Sequence, residues 1–153
     1  MSDEFSDVSG DGGVYKSILK AGYGGTPSFG DTIEVHYVGR LENGEIFDSS
    51  INRGKTFKFV IGKEKVIKGW EGGIATMKKG EKAILKCRSD YAYGNRVMGP
   101  IPANATLIFE VELIHFGPDM TSYETIGGMI FMTFLAFFLI YKNIDKMRAV
   151  LGW

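Results

Sequence analysis

Six aromatic side chains from separate stretches of the chain have the most to offer to chemistry: Tyr37, Phe47, Phe57, Trp70, Tyr93 and Phe109. If the fold brings them together, they form an aromatic enclosure that excludes water. Asp48 directly follows Phe47 and Arg53 lies five residues later, so a charged pair belongs to the same neighbourhood. Asp90-Tyr91-Ala92-Tyr93-Gly94 opens a glycine- and proline-bearing loop, the usual place for function on a sheet scaffold. A plain aromatic core is the competing reading of this set.

Other chemistries lack their residues. His36 and His115 stand far apart with no ligand spacing around them, and Cys87 is the single cysteine, so no metal site or disulfide framework is expected. Cys87 sits on an apolar strand face and reads as a small core residue. Gly22-Tyr23-Gly24-Gly25 lacks the Lys-Ser/Thr of a phosphate loop and reads as a turn. Eighteen basic against eighteen acidic residues give zero formal net charge, which argues against a nucleic-acid binder that must neutralise phosphates. Asn104-Ala105-Thr106 fits the glycosylation pattern and matters only in a secretory lumen.

The elements that must position the aromatic set are mostly strands. Ile33, Val35 and Tyr37 alternate with Glu34 and His36; Phe57, Phe59 and Ile61 alternate with Lys58 and Val60. Ala83, Leu85 and Cys87 form a third run, and Leu107, Phe109, Val111 and Leu113 a fourth. Period two marks an antiparallel sheet packed on one face. Asn43-Gly44 carries a hairpin signal. Ile67, Trp70, Ile74 and Met77 follow helical spacing, with Gly80 just beyond. The expectation is an α+β domain, an antiparallel sheet wrapping one short helix, over residues 14–117.

The ends differ from this body. Residues 1–13 hold no basic residue and no apolar run, the reverse of a targeting segment, and read as a flexible acidic leader. Residues 118–124 read as a linker. From Thr125 to Tyr141 seventeen residues pass without a charge, Phe131, Phe134, Phe137 and Phe138 among them. At about 1.5 Å per residue such a helix spans roughly 25 Å, at the short end of a bilayer crossing. Residues 125–141 are therefore expected to be a transmembrane helix, with a helix buried against a partner protein as the alternative. Residues 142–153 form a basic tail. With no leading signal, insertion is expected after synthesis, with the domain facing the cytosol at the mitochondrial outer membrane or the endoplasmic reticulum. The positive-inside tendency favours the opposite orientation, because Lys142, Lys146 and Arg148 sit in the tail.

Several runs together carry a resemblance. Val35-His36-Tyr37-Val38-Gly39, Leu41-Glu42-Asn43-Gly44, Phe47-Asp48-Ser49-Ser50 and Phe57-Lys58-Phe59 resemble the FKBP-type peptidyl-prolyl isomerases. So do Val66-Ile67-Lys68-Gly69-Trp70-Glu71, Tyr91-Ala92-Tyr93-Gly94, Ile101-Pro102 and Ala105-Thr106-Leu107, in the same order and spacing.

The resemblance implies an antiparallel sheet half-wrapped around one helix, with a shallow proline pocket between them and no cofactor. It makes Trp70 the pocket floor and Tyr37, Phe47, Phe57 and Phe109 its walls. Val66 and Ile67 become the rim, with the Ile67 N–H donating to a ligand carbonyl. Asp48 and Tyr93 become polar contacts at the mouth, Arg53 holds Asp48, and Ile101 completes the binding set. Asp48, Tyr93, Tyr37 and Trp70 are the implied catalytic residues. Proline-containing protein substrates and the macrolides tacrolimus and rapamycin are the implied partners. The chain departs from the pattern at Gly94–Pro102, one residue short with Val97 and Met98 in place of the usual residues, and at Lys65, where glutamate is common. Two functions follow: a membrane-anchored isomerase, or an FKBP-fold binding subunit of a membrane complex.

Overall fold

The computed structural model describes residues 4–118. The expected transmembrane helix, the basic tail and residues 119–124 of the linker lie outside the described residues. No helix among the described residues is long and apolar enough to cross a membrane.

Seven strands and one helix follow along the chain: β1 (Ser6–Asp7), β2 (Val14–Lys20), β3 (Asp31–Leu41), β4 (Ile46–Ser49), β5 (Phe57–Val60), α1 (Lys68–Ile74), β6 (Lys82–Cys87) and β7 (Leu107–Pro118). A 3-10 turn, Ser89–Tyr91, follows β6. Neighbours run β1-β2-β6-β7-β3-β4, and β5 also pairs with β3; every pairing is antiparallel. One face of the sheet is apolar because the alternation is strict. Ile33, Val35, Tyr37, Gly39 and Leu41 of β3 are buried, while the intervening residues are not. Leu107, Phe109, Val111 and Leu113 of β7 repeat the pattern, and Ile74 and Met77 cover this face. Asn43-Gly44 makes the β3–β4 turn, with Gly44 at φ +88°, where a Cβ would be strained.

Three expected boundaries need correction. The leader is not a loose segment over its described part. Ser6 and Asp7 pair with Lys16 and Tyr15, and Val8 N–H donates to Val14 O at 2.9 Å. A two-residue strand has too little alternation to register as periodicity. Pro118 is not linker: it closes β7 opposite Asp31, so β7 runs past His115, where a register shift at Glu34/Val35 absorbs an extra residue. The helix is shorter than its apolar spacing, ending at Ile74. Met77 is nonetheless fully buried, because a turn held by the Met77 N–H to Ile74 O bond (3.0 Å) carries it down.

Buried charge fastens that turn to the sheet. Lys16 Nζ donates to Glu81 Oε2 at 3.0 Å and to Thr76 O at 3.1 Å, with both side chains less than a tenth exposed.

Candidate active site

The upper part of β3 is where the sheet edge divides. β5 pairs with Thr32–Val35 and β4 with Val38–Arg40, which leaves Tyr37 in the gap. Ser50 fills it. Its N–H donates to Tyr37 O at 3.0 Å, and its Oγ accepts from Tyr37 N–H at 2.8 Å and lies 2.9 Å from His36 Nδ1. Ser50 is wholly buried, so these contacts fix Tyr37 and, through the chain, Asp48 and Arg53 beside it.

Five elements deliver rings to one place. Trp70, the third residue of α1, is 4% exposed and forms the centre. Tyr37 lies 4.9 Å from it between centroids, Phe109 5.3 Å, and Phe57 and Phe59 each 5.9 Å. Phe47 joins through Phe109 at 5.6 Å. Most of these contacts are edge-to-face, the arrangement favoured by ring quadrupoles. Gly39 permits it: a Cβ there would stand 2.6 Å from Phe47 and 3.1 Å from Phe109. Phe57 and Phe47 are only half-buried, so the enclosure opens on their side. Phe59 is the member that the sequence reading placed on a strand but not at the site.

The open edge is polar. Tyr37 Oη donates to Asp48 Oδ2, Arg53 Nη1 pairs with Asp48 Oδ1, and Arg53 Nη2 donates to Tyr37 Oη at 3.1 Å. The Arg53 guanidinium also stands 5.6 Å from the centroid of the Tyr37 ring. Burial, and secondly the hydrogen bond to Asp48, push the Tyr37 phenol above its ordinary value, so it stays protonated. Direct coupling of Tyr37 to Asp48 was not anticipated; only the Asp48–Arg53 pair was.

The remaining expected residues surround the same core. Val66, Ile67 and Tyr93 are partly buried and pack against it, and Ile101 is part of it. Ile67 caps α1 with extended backbone. Its carbonyl accepts from Trp70 and Glu71 N–H at 3.0 and 3.2 Å, while its own N–H has no acceptor among the described residues. The indole Nε1 of Trp70 is likewise buried without a partner among them. Cys87 is completely buried, and burial pushes its thiol up to about 12, which removes it as a nucleophile.

An aromatic enclosure with a hydrogen-bonded polar edge matches a known family. The family model for FKBP-type peptidyl-prolyl cis-trans isomerases matches residues 24–114. The chain belongs to this family. Its FKBP domain is 53% identical over 104 residues to the peptidyl-prolyl cis-trans isomerase FKBP1A of Xenopus laevis, covering 67% of this chain and 96% of that protein. It is 51% identical over 118 residues to FK506-binding protein 59 of Drosophila melanogaster, covering 75% of this chain but only 27% of that longer protein. Among solved structures, the N-terminal domain of FKBP42 from Arabidopsis thaliana superposes with a TM-score of 0.71 at 32% identity. That match covers 76% of this chain and 94% of that one.

Proposed function

We propose that this chain is a peptidyl-prolyl cis-trans isomerase acting on proline-containing protein segments, held at a membrane by residues 125–141. The observation that carries the isomerase reading is the ring set around Trp70 with the Tyr37–Asp48–Arg53 network along its open edge. Turning an X–Pro bond breaks amide resonance, at a barrier of roughly 18–20 kcal/mol. Uncatalysed, it takes tens to hundreds of seconds. The twisted amide is less dipolar than the planar one, so a water-poor aromatic surface favours it.

The proline ring packs on Trp70 between Tyr37, Phe57 and Phe109. The N–H of Ile67, which has no acceptor among the described residues, donates to the carbonyl of the substrate and holds one side of the bond. The other side then rotates against the rim. Asp48 stays oriented by its two partners, so no reorganisation is needed as the twisted state forms. Binding the twisted state better than either planar state accelerates both directions. The same pocket takes macrolides of the kind named in FK506-binding relatives, with affinity altered by Lys65, Val97 and Met98, all exposed.

The membrane reading is supported by seventeen uncharged residues in succession. The domain is read as facing the cytosol. Two experiments test the whole. Residues 1–118 are expected to speed cis–trans exchange of a proline tetrapeptide, and no acceleration by the folded fragment rejects the isomerase. The full chain is expected in the membrane fraction after alkaline carbonate washing, and its release rejects the anchor. Asn104 is exposed in a turn, so glycosylation there would place the domain in a lumen instead.

A further inference from the structure

The leader is joined to the catalytic face by a specific set of contacts. Asp11 Oδ2 accepts from Tyr91 Oη at 2.8 Å and lies 3.6 Å from Arg88 Nη2. Arg88 donates from its backbone to Gly13 O at 2.8 Å, and its Nη1 reaches Asp11 O at 3.3 Å. The leader holds Asp11 in place through its own network. Asp7 accepts from the N–H groups of Ser9, Gly10 and Gly12, and Ser9 Oγ lies 2.8 Å from both Asp7 and Asp11.

Tyr91 is the connection to the site. Its ring lies against Gly13 so closely that a Cβ there would be 2.1 Å away, and its carbonyl faces α1, 3.2 Å from where a Cβ at Gly69 would stand. Gly69 precedes Trp70 and lies two residues after Ile67. On the other side, Ala92 and Gly94 N–H both donate to Ser89 O, at 3.0 and 2.8 Å, so the turn that fixes Tyr91 also fixes Tyr93.

We propose that Asp11 is a positioning residue of the isomerase site, acting through Tyr91 on the loop that presents Tyr93 and on the start of α1. This rests on the isomerase reading above. The logic is entropic. The four consecutive residues Tyr91–Gly94 are only partly buried, and each conformer the loop samples away from the productive one lowers transition-state binding. Tying Tyr91 on both sides removes those conformers before substrate arrives.

The test uses the full-length chain and four variants, Asp11→Ala, Asp11→Asn, Tyr91→Phe and the Asp11→Ala/Tyr91→Phe double, at a temperature where all are folded. Loss of the Tyr91–Asp11 hydrogen bond should lower kcat/KM for a proline tetrapeptide about three- to tenfold in Tyr91→Phe and in Asp11→Ala, which also releases Ser9 and Gly13. Asp11→Asn keeps an acceptor for Tyr91 and should recover most of the activity. The double variant should lose no more than Asp11→Ala alone, because both changes cut one path. Glu110→Gln, which breaks the Lys82–Glu110 pair elsewhere on the sheet, should change nothing.

Unchanged kcat/KM in both single variants, or additive losses in the double, overturns the proposal. If Asp11→Ala does not fold, Tyr91→Phe decides alone, since it removes one oxygen. Amide exchange at Ala92 and Gly94 separates the two possible failures. Protection lost in Asp11→Ala, with no isomerisation by the wild type, rejects the isomerase reading while the brace stands. Unchanged protection overturns the brace.

Discussion

The ring of Tyr37 meets the indole of Trp70 at 82°, with 4.9 Å between their centroids. One residue thereby belongs to two systems. Its ring completes the apolar floor, and its hydroxyl begins the polar edge by donating to Asp48. Substitutions at Trp70 and at Asp48 should therefore separate stability from catalysis.

Trp70→Ala removes a buried aromatic that touches Tyr37, Phe57, Phe59 and Phe109, a change that typically costs about 3–5 kcal/mol. Both the melting temperature and the activity should fall. Asp48→Ala breaks a pair whose side chains are 48% and 41% exposed, and such pairs stabilise little. Its melting temperature should barely move, while kcat/KM drops about tenfold. Equal shifts in melting temperature for the two variants would contradict the assignment of floor and edge.

Tyr37→Phe keeps the ring and removes the donor. The lost hydrogen bonds should cost roughly 0.5–1.5 kcal/mol of stability and several-fold in kcat/KM, short of the Asp48→Ala effect. The pH dependence follows from the raised phenol. A group whose folded value lies above its ordinary 10.0 contributes stability below pH 10 and loses that contribution as pH rises through the folded value. Wild-type kcat/KM should thus show no tyrosine titration between pH 6 and about pH 9. An activity step in that window which Tyr37→Phe abolishes would refute the buried, protonated phenol.

Much of this was legible in the sequence for a physical reason. Period-two alternation survives translation into β3, β5, β6 and β7 because each buries one face, and the aromatic positions sit on that face. The Tyr37–Asp48 contact was not legible. It depends on the split sheet edge and on the register shift between Gly39 and Arg40, neither of which leaves a periodic trace. The end of α1 was misjudged because burial of Met77 by a turn mimics helical spacing. The leader escaped because its order comes from Asp, Ser and backbone hydrogen bonds rather than from apolar residues.

The buried Lys16–Glu81 pair makes a different prediction. Lys16→Met leaves the Glu81 carboxylate less than a tenth exposed with no cation, and breaking one side of such a pair costs about 3–5 kcal/mol. That is a large share of a domain's total stability. Adding Glu81→Leu should recover most of the loss, since two apolar side chains replace two desolvated charges. Denaturant midpoints of the wild type and the two variants measure it. A double variant no more stable than Lys16→Met would show that the remaining Glu81 contact, from Lys78 N–H at 3.4 Å, matters more than the charge.

Cys87 offers a direct reading of how the sheet and helix stay together. Its thiol is fully buried, with a Cβ at Gly69 of α1 placeable only 2.4 Å from Sγ, and burial pushes it from 9.0 up to about 12. Thiolate is the reactive form, so at pH 8 the native protein should hold far less of it than an unfolded chain. A disulfide reagent should label urea-unfolded protein at once and native protein only through opening of α1 from β6. Raising the pH acts on the same balance. The raised thiol favours the folded state less and less as pH climbs from about 9 towards 12, so the denaturant midpoint should decline across that window. At pH 8 the native wild type should label slowly, and the rate should rise sharply in Trp70→Ala, which loosens the same helix. Native labelling as fast as that of the unfolded chain would mean that α1 does not cover Cys87 in solution, and the floor of the pocket would lose its support.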